Sequence, residues 1–127
     1  MTAYELVQLF VEEEKFVQDA LRTAATALAR AIETVTESMR SGGRLFYVGA
    51  GSSGRVGVLD ASEIPPTFGA PAHVVQGIIA GGVTALHRSV EGAEDEKSAG
   101  ALALDERGMK PADVVIGITA SGRTPFV

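Results

Sequence analysis

The chain has 127 residues, of which 46% are hydrophobic and 21% charged, a composition typical of a globular protein with one core and not of a disordered segment. Its net charge of −5 offers no basic face for a phosphate backbone, so we expect no nucleic-acid partner. It has no cysteine and only two histidines, which excludes disulfides, thiolate metal sites and a histidine-based metal cluster.

The chain begins with an acidic and largely helical pattern. Glutamates at positions 5, 12, 13 and 14 exclude a basic-then-apolar signal sequence, and no apolar run is long enough to span a bilayer. We therefore expect a cytoplasmic protein with no membrane partner. Apolar residues recur at helical spacing over residues 2–40, which predicts N-terminal helices in two pieces with a break near residues 14–15.

The remainder alternates between apolar strand patterns and helical patterns. Strands are predicted at 44–48, 73–80 and 113–119, and helices at 53–61, 83–90 and 94–107. Pro65 and Pro66 are predicted to end the first of these helices. The alternation predicts an α/β fold with a mostly parallel sheet flanked by helices. Because three strands are few for such a sheet, we expect a truncated chain, a single incomplete domain over residues 1–127.

Two of the predicted strands end in loops rich in glycine and hydroxyl side chains. The first loop reads GAGSSG at 49–54 and the second reads ASGRT at 120–124. In parallel sheets ligands bind at the carboxyl ends of the strands, and a helix N-terminus stabilises an anion. The loops therefore predict a phosphate cradle. Arg55 and Arg123 are equally compatible with ligand charge and with solvated surface arginines.

The first loop also matches the dinucleotide pattern G-x-G-x-x-G. The full pattern requires an acidic residue about twenty positions later, at the end of the second strand. Here that strand is followed by Ala80-Gly81-Gly82, with no carboxylate, so a dinucleotide-binding domain is a minor alternative.

Candidate acids and bases are numerous, and spacing does not choose among them. Glu63 lies between a helix and the double proline, and Glu94 starts the helix predicted at 94–107. Each is also explained without catalysis, Glu63 as an exposed helix-end residue and Glu94 as an acidic residue favoured by the helix dipole.

Four segments together carry a specific resemblance. They are GGRLFYVGAGSSGRVGVLDASEIPPTFG at 42–69, GIIAGG at 77–82, VEGAED at 90–95 and DVVIGITASGRTPFV at 113–127. With these segments the chain resembles the N-terminal half of the N-acetylmuramic acid 6-phosphate etherase family. That family has the sugar isomerase (SIS) fold, a flavodoxin-like α/β sandwich that binds phosphosugars. Residue 64 is isoleucine where the family usually has cysteine, and Ser52 replaces a common threonine.

The resemblance implies cleavage of the ether between D-lactate and C3 of N-acetylmuramic acid 6-phosphate, without a metal, nucleotide or other cofactor. It implies that Glu63 protonates the departing lactate oxygen and that Glu94 removes the C2 proton. It also implies a homodimer and a sugar 6-phosphate held by Ser52, Ser53, Gly54, Ser121, Gly122 and Thr124. A related expectation is a non-catalytic phosphosugar-sensing module of the glucokinase-regulatory type.

Overall fold

The computed structural model describes all residues from Met1 to Val127 and divides into two compact units, Met1–Thr34 and Val35–Val127. Helix α1 spans Ala3–Arg40 without interruption. The prediction of two helical pieces was wrong, because the charged run at 12–15 consists of strong helix formers and contains no glycine or proline.

The first unit, Met1–Thr34, is helical from Ala3. Its start is a capping box, in which the Glu5 N–H donates to Thr2 Oγ1 (3.2 Å) and the Thr2 N–H donates to Glu5 Oε2 (2.6 Å). No residue of α1 is buried, and large apolar side chains such as Phe10 and Phe16 are exposed. None of the helices combines the length and apolar character that a bilayer-crossing segment needs.

The second unit, Val35–Val127, is built on a three-stranded parallel sheet. Strands β1 (Leu45–Gly49), β2 (Val75–Ile79) and β3 (Val114–Ile118) are arranged in the order β2-β1-β3. Gly49 at the end of β1 pairs with Ile79 on one side and Ile118 on the other. All three strands therefore end at one edge of the sheet, and the predicted mostly parallel α/β architecture is confirmed.

Helices connect the strands as predicted, but α2 is longer than predicted. It spans Gly51–Phe68, so it begins two residues before the predicted start and continues through Pro65 and Pro66. The prediction that the prolines end the helix was wrong. The proline ring holds φ near the helical value, and each proline in the last turn removes only one backbone donor.

The region after β2 differs from its prediction in detail. Helix α3 covers only Thr84–His87, a 3₁₀ turn covers Ala93–Asp95, and helix α4 covers Lys97–Asp105. The predicted single helix over 94–107 is therefore wrong at its start. Glu96 has non-helical backbone angles and separates the turn from α4, so Glu94 lies on a turn and not in an α-helix.

The core lies on both faces of the sheet. One face is formed around Leu45, Ala61 and Val75, where α2 packs. The other face lies under α4, and its buried residues are Phe46, Val48, Ile78, Ala80 and Phe126. The sheet is therefore covered by helices on both of its faces.

An ion pair fixes the opposite edge of the sheet, where β1 and β3 begin. Asp113 accepts hydrogen bonds from the Arg44 backbone N–H (2.8 Å), from Arg44 Nη2 (2.7 Å) and from the Lys110 N–H (2.8 Å). The Asp113 side chain is only 2% exposed. The hydrogen bond from the Arg44 side chain is the main cause that lowers the pKa of Asp113 from 3.8 to about 2.

We expect Asp113→Asn to lower the melting temperature at pH 7 by at least about 4 °C, because the Arg44 guanidinium loses its anionic partner. A carboxylate with a lowered folded-state pKa stabilises the fold above its unfolded pKa, and this stabilisation is lost as pH falls from about 4 toward 2. Thermal denaturation followed by circular dichroism from pH 7 to pH 2 should therefore show that the difference in melting temperature between the parent and Asp113→Asn becomes smaller in acid. The control is Asp105→Asn, which removes an exposed carboxylate; an equal loss of stability there would refute this role of Asp113.

Candidate functional site

The first candidate loop becomes the N-terminus of α2. Because α2 begins at Gly51, Ser52 and Ser53 lie in its first turn and not in a preceding loop. Ala50 is the N-cap residue and supplies no side-chain hydrogen bond to the helix. The N–H groups of Gly51, Ser52 and Ser53 thus lack an intrahelical acceptor and can receive an anion. The Gly54 N–H is already used, since it donates to the Ala50 carbonyl (3.2 Å).

Gly54 allows this helix to lie directly against the strand ends. A Cβ atom at this position would lie 2.6 Å from Cγ1 of Ile79 and 2.7 Å from the carbonyl oxygen of Gly49. Only glycine therefore fits, and the role of Gly54 is close packing that brings the N–H groups of the first turn to the edge of the sheet.

The second candidate loop follows β3, which lies beside β1 in the sheet. The hydroxyls of Thr119 and Thr124 are 3.0 Å apart, and the Gly122 N–H donates to Thr119 Oγ1 (3.2 Å). The Arg123 N–H donates to Ser121 Oγ (3.2 Å), and Ser121 is exposed. The loop is thus shaped by its own hydroxyl groups. Its serine can still donate its hydroxyl proton to a ligand.

A cleft of about 280 Å³ opens beside the first loop. Its walls come from the N-terminus of α2, the end of β2, α3 and the turn that precedes α4. The charged side chains that line it are Arg55, Glu91 and Glu94. Glu94 therefore lines the same cleft as the N-terminal turn of α2.

Phe126 holds the backbone of Glu94 in place. The Phe126 N–H donates to the Glu94 carbonyl oxygen (3.0 Å), and the Phe126 ring is buried in the core. Gly100 on α4 permits this arrangement, because a Cβ atom there would overlap the Phe126 carbonyl oxygen. Sequence reasoning missed Phe126. The available signal was a single aromatic residue next to a loop of glycine and hydroxyl residues.

Arg55 is the one basic residue that lines the cleft. It is half-buried, and its Nε donates to the Ala85 carbonyl (2.9 Å). The chain contains two side-chain ion pairs, Arg22–Asp19 and Arg44–Asp113, so the Arg55 guanidinium has no carboxylate partner.

Glu63 does not join this cleft within one chain. It is exposed on α2, twelve residues beyond Gly51, which places it about 18 Å along the helix axis from the N-terminal turn. The structure thus brings Ser52, Ser53 and Glu94 to one edge of the sheet and leaves Glu63 near the other end of α2.

Tyr47 lies under α2, between the helix and the sheet. Burial, with smaller contributions from a hydrogen bond and the charge of Asp60, raises the pKa of Tyr47 to about 12. The phenol stays protonated at neutral pH, so Tyr47 is not a candidate base.

The chain is similar to proteins named N-acetylmuramic acid 6-phosphate etherase. It is 60% identical over 122 residues to the one from Gloeobacter violaceus, an alignment that covers 96% of this chain and 40% of the relative. The proteins from Symbiobacterium thermophilum and Gloeothece citriformis are 52% and 55% identical and are covered over 42% of their length. The chain therefore spans about two-fifths of the length of these curated relatives.

A family model also matches the chain, at the level of the domain. The model described as the glucokinase regulatory protein N-terminal SIS domain matches residues 27–127. This match includes the whole sheet, both candidate loops and the cleft. Because it covers most of the chain, the chain belongs to the family of glucokinase regulatory protein N-terminal SIS domains.

Proposed function

We propose that the protein cleaves the ether bond between D-lactate and C3 of N-acetylmuramic acid 6-phosphate, as a carbon–oxygen lyase. The observation that carries this proposal is the 60% identity, over nearly the whole chain, to a relative named N-acetylmuramic acid 6-phosphate etherase. The geometry supports it, because a helix N-terminus with free donors suits the 6-phosphate and Glu94 lies in the adjoining cleft.

The phosphate is held between the two carboxyl-end loops. Ser52 and Ser53 contribute hydroxyl groups and first-turn N–H groups, and Ser121 and Thr124 contribute hydroxyl groups from the neighbouring loop. The N–H groups of Gly54 and Gly122 have acceptors within the chain, at Ala50 and Thr119, so those two glycines act mainly through their shape.

The reaction begins when the sugar ring opens, which makes C1 an aldehyde and the C2 proton acidic. Glu94 removes the C2 proton, and the electron pair forms the C2–C3 double bond as the C3–oxygen bond breaks. Glu63 protonates the departing lactate oxygen and then activates the water that adds to C3, while Glu94 returns a proton to C2. The products are N-acetylglucosamine 6-phosphate and D-lactate. General acids and bases such as the two glutamates each contribute about 10²–10⁴-fold to the rate.

This mechanism needs a second copy of the chain. A general acid acts within hydrogen-bond reach of its substrate, yet Glu63 lies about 18 Å along α2 from the N-terminal turn of its own chain. A homodimer resolves the conflict if the Glu63 of one copy reaches the cleft of the other. We further propose that the enzyme acts in the cytoplasm, in the recycling of cell-wall amino sugars.

The second candidate is a non-catalytic phosphosugar sensor. The observation that favours it is the description of the matching family model, which names a regulatory protein. A sensor would use the same phosphate cradle and would not need the two glutamates.

The deciding experiment incubates the protein with N-acetylmuramic acid 6-phosphate and measures D-lactate with a coupled assay. We expect lactate release above a protein-free control and a raised melting temperature with N-acetylglucosamine 6-phosphate, because a ligand that binds only the folded state stabilises it. A melting shift without lactate would favour the sensor. A shift with NAD and none with the sugar phosphate would favour the dinucleotide alternative and refute the proposal.

A further inference from the structure

We propose that Arg55 binds the carboxylate of the lactyl group and thereby distinguishes the ether substrate from its sugar phosphate product. This inference rests on the proposed function, because it assigns a specificity-determining residue to that reaction. The observation behind it is a half-buried arginine in the cleft that has no carboxylate partner.

The position of the Arg55 guanidinium is fixed at one nitrogen only. Its Nε donates to the carbonyl of Ala85, a buried residue of α3, and no hydrogen bond engages the two terminal nitrogens. A guanidinium held at Nε presents a planar pair of N–H donors that fits both oxygens of a carboxylate. The side chain is therefore preorganised for a bidentate anion.

The electrostatics of the cleft also favour an anion beside Arg55. Helix side chains lean toward the N-terminus, so the charge of Arg55 approaches the positive end of the α2 dipole, where a cation is unfavourable. An anionic ligand removes that cost. Conversely, a ligand carboxylate near Glu91 and Glu94 would be repelled unless a cation stood beside it, and Arg55 is the one cation that lines the cleft.

The strand order separates this anion from the phosphate. The second hydroxyl loop follows β3 on one side of the central strand β1, whereas Arg55 is tied to α3, which follows β2 on the other side. With the phosphate between the β1 and β3 loops, Arg55 faces a different part of the ligand. That part lies beside Glu94, where C2 and C3 of the sugar react, and the lactyl group is attached at C3.

The test compares two ligands that differ in the lactyl group. For Arg55→Gln we expect kcat/KM for N-acetylmuramic acid 6-phosphate to fall by about 10- to 100-fold, as for loss of a charged hydrogen-bond pair. The inhibition constant of N-acetylglucosamine 6-phosphate, which has no carboxylate, should change less than about twofold. Arg55→Lys keeps the charge without the planar fork and should give an intermediate loss.

Two further variants separate carboxylate binding by Arg55 from phosphate binding and from a purely structural role. Ser53→Ala removes a phosphate ligand and should weaken both sugars alike, whereas Arg107→Gln removes an exposed charge remote from the cleft and should weaken neither. Equal weakening of both sugars in Arg55→Gln would assign Arg55 to the phosphate or to the fold and overturn the inference. Unchanged constants for both sugars would also overturn it. Absence of lactate release from the unchanged protein would overturn the proposed function, and this inference with it.

Discussion

Replacement of Glu63 by glutamine is expected to reduce lactate release by about 10²–10⁴-fold, because the amide is not acidic enough to protonate the departing lactate oxygen. Glu63 is exposed, so the fold should tolerate the change. The C2 proton of N-acetylglucosamine 6-phosphate should still exchange in D₂O, since Glu94 is the proposed base for that step. The measurements are a coupled lactate assay and proton NMR of C2, with Glu106→Gln as an exposed control. Release near the parent rate would refute the acid role.

The location of Glu63 makes the same variant a test of the dimer. If Glu63 and Glu94 of different copies share a site, mixing Glu63→Gln with Glu94→Gln after reversible unfolding should restore about a quarter of the parent activity. Half of the dimers are then mixed, and each mixed dimer has one intact site of two. A mixture as inactive as its components would show that each site uses both glutamates of one chain.

The sequence predicted the sheet well because its signals are local. All three strands lie within or one residue beside their predicted ranges, since short apolar runs bounded by turn residues are typical of strands. The long α2 was not predicted, because local rules treat Pro65-Pro66 as a stop, whereas this helix tolerates the two lost backbone donors and continues to Phe68. Glu94 was placed on a helix because Glu96, the non-helical residue two positions later, carries no breaker signal.

The site was less predictable because its decisive contacts join distant residues. The bond from Arg55 Nε to the Ala85 carbonyl and the bond from the Phe126 N–H to the Glu94 carbonyl both cross from one chain segment to another. No spacing rule within a segment anticipates them. The hydroxyl loops were predictable because parallel strands bring their carboxyl ends to one edge, but the same rule is silent on Glu63, whose helix leads away from that edge.

Replacement of Glu94 by glutamine is expected to slow both lactate release and C2 proton exchange by about 10²–10⁴-fold, because the amide is not a base at neutral pH. The side chain is exposed at the cleft, and the backbone is held through the carbonyl by the Phe126 N–H. The substitution therefore removes the carboxylate and leaves the turn in place. Loss of exchange is the informative readout, since it isolates proton removal from departure of lactate.

Glu91 provides the matched control, because it lines the same cleft and carries the same charge. Glu91→Gln should leave C2 exchange within about twofold of the parent rate, since loss of an exposed charge that does no proton transfer has a small effect. If Glu91→Gln stopped the exchange and Glu94→Gln did not, Glu91 would be the base. If neither variant slowed it, proton removal would require a group from outside this cleft. The Phe126 anchor favours Glu94, because a base must be held at a fixed distance from the proton it removes, and Glu94 is tied through its backbone to the buried core.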